Sequence, residues 1–232
     1  MKKFFYFWSI VSLLTIVNLL VFDLLIFFSP ENIQVQFAPD DMYYYLQLAK
    51  NFAKFGQWTF DSGVSITTGF HPLLAYLLAL LYRVFQPALE SFVLYNVGLS
   101  ATLTVFVGVY LWQKSLSFKN GYFFLFSALF MSTQGFLFNS VSGVEWSLVI
   151  TLAVVYCFTF YQSAEEPGTS IILFVVGGLL SLARSDSGLL PLAVFLASVA
   201  TVDSSIRKNN TMVRSSLAGL LGASVGSDLF FS

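Results

Sequence analysis

Apolar residues run almost unbroken over 4–28, 72–86, 89–112, 121–139, 144–162, 169–183 and 188–202, and again from about 216 to 232. Short charged patches separate these runs. Apolar stretches of this length predict helices that meet lipid, since about 20 residues cross a hydrocarbon core of about 30 Å. The pattern changes once. From Asp40, Tyr45, Leu48, Phe52 and Phe55 recur at i, i+3, i+7 and i+10, while Gln47, Lys50, Asn51 and Lys54 face the other way. This predicts an amphipathic helix over 40–55, lying in the membrane interface and stopped by Gly56. Residues 57–69 are rich in Thr, Ser and Gly and read as irregular. His71-Pro72 opens the next helix, with proline at its favoured first position.

Composition sharpens the class. Charged residues make up 10% of the 232, against roughly 25% in soluble domains, and 57% are hydrophobic. That excludes a soluble enzyme, a nucleic-acid binder and a disordered tail. The lone cysteine, Cys157, rules out a disulfide within the chain, and no Cys/His cluster suggests zinc. The first run is too long for a secretory signal and has no small-residue cleavage site, so it reads as an uncleaved span.

Lys2 and Lys3 orient the N-terminus to the cytoplasm. If the run 72–86 crosses, Lys114, Lys119, Arg207, Lys208 and Arg214 fall outside; if it lies in the interface, all five fall inside. Fifteen helical residues reach only about 22 Å, short of a span. The expectation is therefore an all-α polytopic transmembrane helix bundle. It has an outer loop over 29–88 carrying interfacial helices at about 40–55 and 72–86, in a cytoplasmic (inner) membrane.

Polar residues then gather on the outer side. Asp40 and Asp41 stand at the start of the interfacial helix. One could cap it or suit its dipole; the other is free to act as a general base or cation ligand. Tyr43, Tyr44 and Tyr45 read as interfacial anchors, one of them able to touch a ligand. His71 is a structural cap or a site residue. Glu145, after Ser142-Gly143 at the start of an apolar run, is costly near lipid and points to a polar cavity. Arg184 and Asp186 interrupt another apolar stretch. They either pair with each other or leave Arg184 to hold an anionic group such as phosphate. Asp23, near the outer end of the first span, is expected to snorkel to the interface, and Gly177-Gly178 and Gly222-x-x-x-Gly226 to pack helices.

Three blocks carry a resemblance. The first reads DD-x-YYY-x(3)-A-x-N, then G-x-W-T-F-D, then T-T-G-F-H-P-L, on Asp40, Asp41, Tyr43–Tyr45, Ala49, Asn51, Gly56, Trp58–Asp61 and Thr67–Leu73. The second is Ser142-Gly143-Val144-Glu145 and the third Leu182-Ala183-Arg184-Ser185-Asp186. In this order they resemble the polytopic glycosyltransferases of the C superfamily, in the protein-mannosyltransferase-like and aminoarabinose-transferase-like branch. The resemblance implies transfer of a sugar from a polyprenyl-phosphate donor to a glycan, lipid or protein acceptor outside the cytoplasmic membrane. It implies that Asp40 or Asp41 is the base or metal ligand and that Glu145 is a second acid. Tyr44, His71, Arg184 and Asp186 would bind substrate, and Asp41 with Glu145 would hold a divalent cation, Mg or Mn. The family carries more spans than this chain, which ends inside its seventh, so the chain is expected to be an N-terminal portion. The alternatives are a transporter or flippase of a lipid-linked or anionic solute, and a non-catalytic membrane remnant.

Overall fold

Backbone amides surrounded by lipid must pair within their own segment, and helices do this without help from neighbours. A computed structural model describes residues 2–29, 34, 36–118, 121–163, 169–200 and 206–231, and every regular element among them is helical. Lys119, residues 201–202 of the run 188–202, and Ser232 lie outside the described residues. Among the described residues three helices are long and apolar enough to cross a membrane, Phe4–Phe27, Leu89–Leu116 and Trp146–Ser163, or up to four if a bent pair counts as one span. The chain divides into two units, Met1–Thr67 with Leu78–Ser147, and Thr68–Leu77 with Leu148–Ser232.

In the first unit, α1 (Lys2–Phe27) turns one narrow face inward. Ser12, Ile16, Leu19, Asp23 and Ile26 are buried, while Leu13, Val17, Leu20 and Leu24 stay exposed. That spacing is a coiled-coil seam, and the outward residues suit lipid. After α2 (Asp40–Phe55) and α3 (Pro72–Phe85), α4 (Leu89–Phe118) packs on α1. Ile16 lies against Gly108 and Phe27 against Gly98, so the two helices are antiparallel. The segment between them therefore leaves and rejoins this unit at the same end.

The run 121–139, expected as one span, forms two helices bent by 58°, α5 (Gly121–Met131) and α6 (Gln134–Val141). Hydroxyls cause the break. Ser132 and Thr133 bond the carbonyls of Ala128 and Phe130, and Thr133 accepts from the amide of Phe136, capping a new helix. Phe4 meets Tyr122 at one end and Asp23 meets Ser140 at the other, so the bent pair runs alongside α1 in the same direction.

α7 (Trp146–Ser163) starts in the first unit and continues in the second, where α8 (Thr169–Ala183), a 3-10 turn (Ser185–Gly188), α9 (Leu189–Ala200) and α10 (Ile206–Phe231) follow. α8 and α10 are in backbone contact. A side chain on Gly177 would overlap the carbonyl of Gly219, one on Gly222 that of Phe174, and one on Gly226 that of Gly178. The phenol of Tyr156 rests against Gly219 and joins Leu173, Val176 and Leu180 in a buried cluster. Both glycine pairs singled out in the sequence are helix-packing sites, with Gly219 as a third contact point. Lipid tails are as apolar as these helices, so close packing and hydrogen bonds hold them together. Ser170–Ser215 and Ser198–Ser216, at 2.9 and 2.8 Å, supply such bonds.

Gly222→Ala is expected to destabilise the protein by about 1–3 kcal/mol, because the added methyl must push two backbones apart. Thermal unfolding in detergent should show a lowered midpoint, whereas Val225→Ala on the exposed face should leave it in place.

Candidate functional site

The chain between Val141 and Trp146 must reverse direction, and Gly143 allows it with a φ of 65°. The carboxamide of Asn96, fully buried in α4, donates to the carbonyl of Gly143 at 2.6 Å. Met42 covers the bare α-carbon: a Cβ there would lie 2.6 Å from Sδ of Met42 and 2.9 Å from Nδ2 of Asn96. Ser147 then bonds Ser100 at 3.2 Å. Asn96, Ser100 and Thr104 repeat every four residues along α4 and make a polar seam. The sequence displays that seam openly, yet attention to charged residues passes it over.

Met42 belongs to the first turn of α2, so the turn bearing Asp40 and Asp41 is seated on the turn leading to Glu145. Both aspartates are exposed. Neither caps the helix: the cap position is Pro39, which has no side-chain bond to offer. Their contribution to α2 is charge at the positive end of its dipole. Glu145 is buried, 7% exposed, immediately before α7.

Three expectations need correction. Asp23 does not snorkel; it is 3% exposed, and its carboxylate accepts from Ser140 at 2.5 Å. Its spacing from Ser12, Ile16 and Leu19 puts it on the inward seam, too far round the helix to reach lipid headgroups. Asn51 is not on a polar outer face. It is buried and donates to the carbonyl of Thr59 at 2.7 Å, because α2 is covered on more than one side. Phe55, placed on the apolar stripe, is exposed, while Met42, Leu46 and Ala49 are buried. Gly56 does end the helix, with φ of 71° and its amide on the carbonyl of Phe52.

Asn51 anchors the following loop. Thr59, buried above it, donates to Asp61 at 2.5 Å, and Asp61 also accepts from the amides of Val64 and Ser65 and from the Ser65 hydroxyl. The hydroxyls of Ser65 and then Thr59 hold the Asp61 carboxyl well below the usual carboxylate range. Trp58 stacks on Phe52, with ring centroids 3.9 Å apart.

Tyr44 lines a cleft of about 330 Å³ between α2 and the start of α4. Tyr43, Gln47, Lys50 and Tyr82 form its polar wall, and Leu46, Pro87, Leu89 and Phe92 the remainder. His71, half-buried, belongs to the second unit, as do Arg184 and Asp186. Arg184 Nε and Asp186 Oδ1 stand 2.8 Å apart across the 3-10 turn, so they pair with each other. No group of three or more His, Cys, Asp or Glu side chains converges among the described residues.

Comparison with protein-family models, curated proteins and solved structures gives no match.

Gly143→Ala is expected to loosen the seat of α2, through both its backbone angle and the contact with Met42. Amide exchange over residues 40–51 should quicken, while Gly135→Ala, with open space around it, should leave exchange unchanged. The lowered pKa of Asp61 makes its contribution full above about pH 4 and lost only as pH falls through its folded-state value, far below that. Protection of the Val64 and Ser65 amides should therefore persist at pH 4 and collapse in Asp61→Asn at any pH.

Proposed function

We propose that the chain works as an integral-membrane glycosyltransferase. It moves a sugar from a polyprenyl-phosphate donor to an acceptor hydroxyl at the outer face of the cytoplasmic membrane. The observation that carries this reading is the seat of Met42 on Gly143, which ties the Asp40–Asp41 turn to the Ser142–Glu145 turn. Two acidic segments far apart in the chain thereby share one end of the first unit.

In this reading Asp40 or Asp41, open to solvent, takes the proton of the acceptor hydroxyl. The acceptor oxygen then attacks the anomeric carbon. The bond from that carbon to the phosphate oxygen breaks, and polyprenyl phosphate leaves with the electron pair. Hard carboxylate oxygens at Asp41 and Glu145 suit Mg²⁺ or Mn²⁺, which binds through one or two carboxylates together with substrate phosphate. Such a cation would offset negative charge on the departing phosphate. Tyr44 is the substrate-binding candidate in the same unit as these acids, and His71, Arg184 and Asp186 are candidates within the second unit.

A carrier of anionic solutes needs its charge near the bilayer midplane. Asp23, the buried acid of α1, is one turn from the end of that helix and already engaged by Ser140. That favours the transferase.

Membranes containing the protein should transfer radiolabelled sugar from a polyprenyl-phosphate donor. Asp40→Asn or Asp41→Asn should reduce transfer by at least about a hundredfold at equal protein level. Full transfer in both single variants and in the double variant would overturn the assignment.

A further inference from the structure

The cleft beside α2 has a chemistry unlike that of the acidic turn. Leu46, Leu89 and Phe92 give it an apolar floor, and Tyr43, Tyr44 and Lys50 line its wall. Lys50 forms no ion pair or hydrogen bond among the described residues, so its charge is available to a ligand. Lys54, one turn along the same helix, stands 6.0 Å over the ring of Tyr82 and adds a second positive charge.

The level of the cleft follows from helix geometry. The apolar span of α1 ends at Phe27, beside Gly98 of the antiparallel α4. Phe92 and Leu89 lie earlier in α4, about 9 and 13 Å past that end at 1.5 Å per residue. Leu89 and Phe92 also open the apolar span Leu89–Leu116 of α4, which puts the cleft at the end of that span, where acyl chains give way to headgroups. Leu89, which lines the cleft, is itself exposed on α4, so the cleft opens beside an apolar surface.

We infer that this cleft holds the headgroup of an anionic phospholipid of the surrounding bilayer, with its phosphate paired to Lys50. A choline headgroup suits the site poorly, because an aromatic cage for a quaternary ammonium must be free of cations. Here Lys54 already covers the face of Tyr82, and Lys50 would repel a second cation. The inference does not rest on the transferase reading, since it concerns a different set of side chains and needs no sugar.

Native mass spectrometry of the purified full chain, with phosphatidylglycerol, phosphatidylcholine or polyprenyl phosphate added separately, tests it. Phosphatidylglycerol should be retained about fivefold over phosphatidylcholine, the preference expected of one lysine at a charged lipid surface. Lys50→Ala and Lys50→Gln should abolish that preference, and Lys114→Ala, on the far part of α4, should keep it. Equal retention of the two phospholipids, or a preference untouched by both Lys50 variants, overturns the inference. So does retention of polyprenyl phosphate in place of phosphatidylglycerol. Loss of sugar transfer leaves these outcomes unaffected, so the two proposals fail separately.

Discussion

A carbonyl at a turn between two membrane helices has no helical partner and little water, and at Gly143 the carboxamide of Asn96 supplies the donor. The rest of the first unit is arranged around that bond. Gly143 can turn there because it tolerates a positive φ, and its bare α-carbon leaves room for Met42. Met42 in turn fixes the first turn of α2 and the acids it carries. Removing the donor would leave a buried carbonyl unpaired, at a cost of about 1–3 kcal/mol. The same substitution would also unseat α2.

The same logic holds elsewhere in the molecule. Apolar contact does not by itself drive helices together in lipid, so small and polar side chains sit on the inward faces. Asp23 with Ser140, Ser100 with Ser147 and Ser198 with Ser216 are bonds between helices. The glycines of α8 and α10 bring backbones into direct contact. Exposed acids at the end of such a scaffold are held by packing beneath them. The loop beyond α2 is likewise held from below, through Asn51, Thr59 and Asp61. The transferase proposed above would need its carboxylates positioned in this way.

Much of this was legible in the chain itself. The apolar runs mark the helices because a helix in lipid has no polar face to reveal. Gly56 ends α2 by its own backbone freedom, and the glycine pairs announce close helix packing. Asp40, Asp41 and Glu145 draw attention because charge is scarce near apolar runs. Tertiary structure decided what depends on rotation about a helix axis. Asp23 and Asn51 look like surface residues until the neighbouring helices cover them, and Asn96 looks ordinary until Gly143 needs a donor. The break at Ser132-Thr133 depended on hydroxyls choosing backbone carbonyls over the continuing helix. Local composition sets how long a segment is and what medium it prefers. Only the partners that close around it determine which of its polar groups are buried, and so which ones hold the fold and which stay open for chemistry.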